Sequence, residues 1–400
     1  MVLGMDILIS GASVAGPSLA LWLQRYGHHV TVVEKAPALR GGGYAVDFRG
    51  RVHMETLGRM GLRDSLEARA THMGDIAIVD AAGTQVAALP SAIFSGDLEV
   101  LRGDLADVLY AATREHVRYR FGDQITAIAQ DERGVDVTFA EAPPQRFDLV
   151  VGADGVHSGV RRLVFGDDPA HTKPLGVYGG IFTMPGTMGL VRSGFMYNEP
   201  NRAVSVMSPH GGDQIVSMSF AEPGLRFDYR DVDQQRRIIA ERFAGVGWRT
   251  PELLEAMERA EDFWFDSTTQ IRLDRWSHGR VVLLGDAGFA GGPGGNGTGL
   301  AVVGAHVLAG ELDAARGDHR AAFERYERLM RPYVATCQKQ ADGSPDFLVP
   351  STEKKIAQRN RFFKTVRYLP PARRMFKYLA TRTATAFDLP SYELPELVGR

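Results

Sequence analysis

The chain has one cysteine, Cys337, in 400 residues. No disulfide can form within it, which fits a reducing compartment and predicts a cytoplasmic protein. No stretch comes near the roughly 20 apolar residues that span a bilayer, so no stable membrane insertion is expected. The first apolar run is too short for a secretory leader. Charge of one sign is also lacking. The formal net charge is −2, which argues against nucleic acid as a partner. There is no internal repeat, no low-complexity linker, no Ser-His-Asp set and no cluster of metal-ligand spacing, so no metal site and no protein nucleophile is assigned. What remains is a chain with 44% hydrophobic residues, enough for a large core and, by length, two or three domains.

The most informative stretch is Met5 to Glu34, MDILISGASVAGPSLALWLQRYGHHVTVVE. Ile7-Leu8-Ile9 reads as a strand buried on both faces. The small-residue turn Gly11-Ala12-Ser13-Val14-Ala15-Gly16 follows, then an apolar-periodic helix. Val30–Val33 reads as a second strand, ending on Glu34. Strand, glycine turn, helix, strand and acid in that order form the dinucleotide fingerprint. Gly11 permits the tight turn, the next small position lets a pyrophosphate approach, and Gly16 lets the helix pack on the sheet. The helix N-terminus offers free N–H groups and a positive dipole end to phosphates. Glu34, 23 residues after Gly11, is placed to accept from a ribose. Ser13 stands where a second glycine is usual. Its Cβ and hydroxyl hold the pyrophosphate further out or add a hydrogen bond.

The glycines Gly41-Gly42-Gly43 predict a mobile loop able to pass close to a ligand. Residues 51–71 read as one helix. Ile76–Asp80 and Gln85–Leu89 give a hairpin signal that opens a second, antiparallel sheet. Leu98–Arg102 returns to the first domain and enters a helix. Phe147–Val151 reads as one buried strand running into Gly152-Ala153-Asp154-Gly155. Residues 171–270 are strand-rich with helices near 233–245 and 251–260. Arg280–Leu284 is again a buried strand, followed by Gly285-Asp286-Ala287, a glycine-rich run and a helix at Leu300–Leu312. Beyond Asp318 the chain reads as mostly helical to about 386. The fold expected is α/β: a Rossmann-like parallel-sheet domain from residues 1–74, 97–170 and 271–312, a mostly antiparallel sheet domain from 75–96 and 171–270, and a helical region from 313 to 400.

Three loops share one design: a buried strand ends, glycine follows, and an acid follows or joins it. In an open parallel sheet such loops lie at the carboxyl ends of the strands, where ligands bind. The Glu34, Asp154 and Asp286 loops would line one edge, which suits a long cofactor stretched across the sheet.

The glycine turn, the element Asp148-Leu-Val-Val-Gly-Ala-Asp154-Gly155-Val-His-Ser158-Gly-Val-Arg161 and the element Gly285-Asp286-Ala287-Gly288, with Pro293 and Gly295–Gly299 behind it, together resemble the FAD-dependent class A monooxygenases of the para-hydroxybenzoate hydroxylase family, nearest to tetracycline-degrading and polyketide-tailoring hydroxylases. Arg102 in Leu-Arg-Gly-Asp-Leu matches the arginine that contacts FAD in that family. The resemblance covers about residues 5–312. It implies FAD of the GR2-type as cofactor, with Glu34 on the adenosine ribose, Lys35 and Arg102 by the adenosine or pyrophosphate end, and Asp47 beside the flavin loop. Asp286 would bond the ribityl chain or pyrophosphate, and Gly297, Thr298 and Gly299 the flavin pyrimidine edge. Asp154 and Gly155 would shape the fold by the pyrophosphate and approach NAD(P)H, to which Arg40 is also assigned. Relative to the family, the run after Gly285-Asp286-Ala287 is glycine-heavier and one residue shorter, which predicts a more mobile flavin loop.

The chemistry implied rests on the cofactor. NAD(P)H reduces FAD, oxygen gives a flavin C4a-hydroperoxide, and one oxygen atom enters an aromatic or polyketide-like hydrophobic molecule by hydroxylation or a Baeyer-Villiger step. Two other readings stay open: an FAD-dependent dehydrogenase or reductase without oxygen activation, and a non-enzymatic FAD protein that sequesters an apolar ligand. A flavin halogenase is disfavoured by the absence of a Trp-x-Trp-x-Ile-Pro stretch. His157 reads as structural or exposed, Cys337 as a buried small hydrophobe, and Asp47-Phe48-Arg49 as either a flavin-side or a surface ion cluster. The basic C-terminal stretch from Glu353 reads as a solvated face whose apolar side packs on the FAD domain or over the substrate entrance. A monomer or homodimer is expected.

Overall fold

The computed structural model describes residues 4–39, 41–167, 169–366 and 381–393. Its first sheet has six strands in the order Ser277–His278, Val281–Leu283, Leu149–Gly152, Asp6–Ser10, His29–Glu34 and Arg118–Phe121. All neighbours are parallel except the first pair. Ile7, Leu8, Ile9, Val150, Val151, Val281 and Val282 are fully buried, as the unbroken apolar runs require of strands covered on both faces. The helix Ala15–Arg25 packs with Gly297–Ala314, whose residues from Gly299 to Leu312 are all buried. A helix apolar all round belongs inside the fold.

Register brings the loops together. Ser10 pairs with Val33 on one side and Gly152 on the other, and Gly152 pairs with Leu283. The chain therefore leaves four neighbouring strands at one edge, through Gly11, Glu34, Ala153 and Leu284. The strand order reverses about Asp6–Ser10, and the crevice at such a switch point is where open α/β sheets bind ligands.

The second sheet has seven strands, Trp264–Ile271, Thr172–Met184, Gln214–Ala221, Arg202–Ser208, Ser193–Glu199, Ile76–Val79 and Gln85–Leu89 in spatial order. It is antiparallel except that Ile76–Val79 runs parallel to Ser193–Glu199. The helices Val232–Phe243 and Thr250–Arg259 cover one face, through Ile239, Phe243, Leu253 and Met257 against Phe182, Val204, Val216 and Met218.

Three local expectations change. The 51–71 helix is two, Gly50–Met60 and Arg63–Glu67; Gly61 at φ +71 ends the first with a left-handed cap. The 147–151 strand is divided at Asp148. Gln145–Phe147 belongs to a three-stranded meander, Leu149–Gly152 to the parallel sheet, and Asp148 turns the corner by bonding Asp6 through both its amide and its carboxylate. The helix Glu353–Val366 packs on the second sheet, with Phe363 against Ile76, Ile78, Ala87 and Leu89, and not on the parallel-sheet domain. Before it come His319–Ala341 and Ser344–Leu348. Of the basic C-terminal residues, Arg367, Arg373, Arg374 and Lys377 lie outside the described residues. Among the described residues no helix is long and apolar enough to cross a membrane, and no group of His, Cys, Asp or Glu could hold a metal. Cys337 is fully buried.

Candidate functional site

The first turn is as tight as its glycines imply. Gly11 has φ +109, and a Cβ there would lie 2.4 Å from the Ala153 carbonyl oxygen. A Cβ on Gly16 would lie 1.9 Å from the Gly11 oxygen, so helix and strand could not close with any larger residue. Glu34 closes the turn from the next strand: Ala12 N–H donates to its Oε2 at 2.9 Å and Ala36 N–H to its Oε1 at 2.8 Å. Val14 is the N-cap of Ala15–Arg25, and no side chain caps that helix. Its first N–H groups are left for an anion. Lys35 is exposed beside this end of the site.

Arg102 ties this turn to the others. Its Nη2 donates to Ser13 Oγ at 2.9 Å, so the serine that replaces a glycine holds the arginine against the turn. The amides of Arg102 and Gly103 donate to Tyr44 and Gly42 carbonyls at 3.1 and 3.2 Å. The triple-glycine loop is thus tied to the start of this helix. Gly285, at φ +63, stands against the first helix: a Cβ on it would lie 3.1 Å from that of Ala15. Next to it Asp286 is exposed although every residue from Val281 to Ala290 around it is buried. Burial of its surroundings raises the Asp286 carboxyl pKa; the Arg102 charge opposes this and Asp266 adds to it. Asp286 Oδ1 lies 3.5 Å from where a Cβ on Gly297 would stand. That glycine opens the helix Gly297–Ala314, whose N-cap Asn296 is left-handed and supplies no capping side chain. A second set of N–H groups, including those of Gly297, Thr298 and Gly299, is therefore left open.

The segment between is clasped. A buried Gln270 Nε2 donates to the carbonyls of Gly291 at 3.2 Å and Gln338 at 2.7 Å. Gln338 Nε2 donates to Ile271 and Ala290 carbonyls at 2.9 and 3.1 Å, and Gln340 Nε2 to Gly294 at 2.9 Å. Gly291 and Gly295 cross so closely that a Cβ on either would lie within 2.7 Å of the other's carbonyl oxygen. The run carrying Pro293 was expected to be mobile. Here it is pinned at both flanks by three glutamines from a strand and a helix.

The remaining assigned residues have distinct surroundings. Asp154 accepts from Ser158 Oγ at 2.5 Å, Gly159 N–H at 2.8 Å and Val160 N–H at 3.2 Å. It closes the Asp154-Gly155 loop and accepts from the first N–H groups of the helix Gly159–Phe165, whose N-cap is Ser158. Burial raises its pKa and these hydrogen bonds oppose the rise. Asp47 pairs with Arg49, which is buried and donates to Ile93 at 2.9 Å; this is no surface cluster. Arg40 lies outside the described residues.

Sequence reasoning missed the contributions from the second sheet. Asp266 perturbs both Asp286 and Tyr44, and it bonds His157 Nε2 at 3.1 Å. His157 is stacked on Tyr229 at 4.6 Å. Tyr44 is 42% exposed and Trp264 43%, with ring centroids 6.4 Å apart between the end of the triple-glycine loop and the second sheet. A Cβ on Gly42 would lie 3.3 Å from Asp262. The only local signal was the exposed aromatic after three glycines.

Two uncapped helix ends, a glycine cradle, a cleft carboxylate and one arginine bonded to the first turn and charge-coupled to the last suit an elongated pyrophosphate-bearing ligand. FAD fits this arrangement.

Comparison with known proteins agrees. The family described as FAD binding domain matches residues 4–341. A protein of Mycobacterium tuberculosis without assigned function is 40% identical over 336 residues, covering 82% of this chain and 90% of the relative. A flavin-dependent monooxygenase from an unknown prokaryotic organism is 36% identical over 365 residues, 88% of this chain and 94% of the relative. The crystal structure of the tetracycline destructase Tet(51) superposes with a TM-score of 0.84 at 32% identity, covering 98% of this chain and all of that one.

Proposed function

The chain belongs to the FAD binding domain family and is an FAD-dependent monooxygenase, and on that premise we propose that it consumes NAD(P)H and inserts one oxygen atom into an uncharged aromatic or polyketide-like molecule. The observation that carries the cofactor assignment is Arg102, bonded to Ser13 in the first turn and electrostatically coupled to Asp286 in the last.

Glu34 would meet the adenosine ribose, with Lys35 nearby. The open N–H groups at Ser13–Gly16 and Arg102 would hold the pyrophosphate, and Asp286 would accept from the ribityl hydroxyls. The amides of Gly297, Thr298 and Gly299 would face the pyrimidine edge, where a helix N-terminus favours negative charge. Bound FAD supplies the redox chemistry, taking electrons from the nicotinamide and passing them to oxygen. The protein's task is to orient the substrate and exclude water. The clasped loop 290–295 and the aromatic pair Tyr44 and Trp264 would serve that exclusion.

The substrate reading rests on the second sheet. Directly paired residues share a face. Met196, Ser205, Ser217 and Ile181 form a row across four strands that ends at Trp264; Ala203, Ser219 and Gly179 form the next, ending at Asp266. This is the face that meets the FAD-side loops through Trp264 and Asp266. Its charged member, Asp266, is bound by His157. Among the described residues the hydroxyls of Ser205, Ser217 and Ser219 have no side-chain hydrogen bond. Such a floor suits a flat apolar body with carbonyl or hydroxyl groups; Arg359, the cation beside it, is already engaged by Asn198 and the Phe347 carbonyl.

The test is NADPH oxidation and oxygen uptake by the purified holoenzyme across a panel of uncharged phenols and quinones. The reading expects a compound that stimulates both together. Stimulated NADPH loss without oxygen uptake would make the protein a reductase. A perturbed flavin spectrum with unchanged NADPH turnover throughout would make it a sequestering protein.

A further inference from the structure

His53 has no part in the chemistry described, yet it bonds two partners and fills the space under Gly299 of the cofactor site. It lies on the helix Gly50–Met60 and is fully buried. Its Nδ1 accepts the Arg49 backbone N–H at 3.0 Å. The ring proton must therefore sit on Nε2, which donates to Tyr333 Oη at 2.8 Å. Tyr333, on the helix His319–Ala341, is itself held by stacking on Phe387 at 5.1 Å. Both ring nitrogens are satisfied by a neutral imidazole, and burial lowers its pKa to about 4.

The third contact is with Gly299. A Cβ built on that glycine would lie 2.1 Å from His53 Cε1 and 2.2 Å from Nε2. Real side chains do not approach so closely. Gly299 has no left-handed backbone to explain its identity; the imidazole explains it. The ring is wedged under the first turn of Gly297–Ala314, with Phe48 edge-on at 6.3 Å. Arg49, whose amide orients the ring, pairs with Asp47.

We propose that His53 is a positioning residue for the flavin, an uncharged wedge that fixes the height of the 297–299 turn relative to Ala45–Phe48, the strand that carries Asp47. The proposal rests on the reading that this turn faces the pyrimidine edge. It goes further in naming what sets the distance between the turn's amides and the ring. A wedge held on both nitrogens has one position. Losing it lets the turn settle toward the Gly50–Met60 helix, drawing the amides away from the charge they would stabilise in the reduced flavin.

The experiment is a double-mutant cycle read by titration of apoprotein with FAD and by the two-electron midpoint potential of the bound flavin. Gly299→Ala forces its methyl into the imidazole and is expected to weaken FAD binding about tenfold or more, a range within reach of coupled neighbours. Adding His53→Ala should recover most of that loss, because the methyl then occupies the vacated space. Tyr333→Phe keeps the fold and the ring's bulk but removes the acceptor that holds it, and should lower the midpoint potential. Unchanged FAD affinity in Gly299→Ala, or a double variant no tighter than Gly299→Ala, would overturn the proposal. If Gly299→Ala does not fold, an unchanged potential in Tyr333→Phe would overturn it alone. Failure of the underlying cofactor reading has a separate signature, namely full FAD content in Asp286→Ala.

Discussion

At the scale of single residues, the site depends on Arg102 more than on any other side chain. Removing its guanidinium breaks the bond to Ser13 and takes away the charge that opposes the rise in the Asp286 pKa. Arg102→Ala is expected to lose about tenfold or more in FAD affinity, in line with a charge-assisted hydrogen bond. Titration of apoprotein checks this; unchanged affinity would remove Arg102 from the site. Gly16→Ala acts differently. Its methyl would meet the Gly11 carbonyl, a backbone atom that cannot swing away. A stability loss of about 1–3 kcal/mol is expected, read by denaturant unfolding. The glycine turn and its acid were legible because a contiguous stretch carries the whole device. Asp266, Tyr44 and Gln270 were not, because their roles come from where a distant sheet places them. Ser13 was legible as a departure, and its partner was assigned to FAD rather than to the serine.

At the scale of elements, the glutamine clasp is the least foreseeable feature. Glycine-rich composition points to mobility, and nothing local shows that Gln270 and Gln338 arrive from a strand and a helix to bind the loop's carbonyls. Gln338→Leu removes the side-chain donor of the Ile271 and Ala290 carbonyls, leaving Ala290 only the Ile271 N–H. Its expected effect is a looser loop, wetter chemistry and uncoupling: more hydrogen peroxide formed per NADPH consumed, with the protein still folded. A peroxide assay against wild-type enzyme decides it, and unchanged coupling would show that the clasp serves stability alone. The strand boundaries failed for a related reason. Phe147–Val151 is one apolar run in sequence, but Asp148 answers to Asp6 across the sheet. Pattern identifies a buried run; it does not record which sheet each half joins.

At the scale of the whole molecule, two buried histidines link the domain's stability to pH. His53 and His306 are neutral in the fold, with pKa values lowered by burial to about 4, against an ordinary value of 6.5. The unfolded chain binds their protons first, so stability is full above pH 6.5 and falls as pH drops toward 4. Each contributes on the order of 3 kcal/mol across that window. The melting temperature at saturating FAD should fall between pH 7 and 4.5, and less steeply in His306→Gln. A flat acid limb would contradict this. His306 also binds the last described segment, its Nε2 donating to the Pro390 carbonyl at 3.0 Å, while Tyr392 covers Gly310. The overall architecture was legible because alternating βα patterns and strand-rich runs are separated in the chain. The packing of Glu353–Val366 on the second sheet was not, because an amphipathic helix does not name its partner.

The central claim is that three distant loops hold one FAD. Asp286→Ala tests it most directly, since Asp286 is the exposed carboxylate at the meeting point of those loops. The account predicts a folded but largely colourless protein on purification, with FAD affinity well below wild type. A yellow protein with normal flavin content and an unchanged spectrum would contradict it.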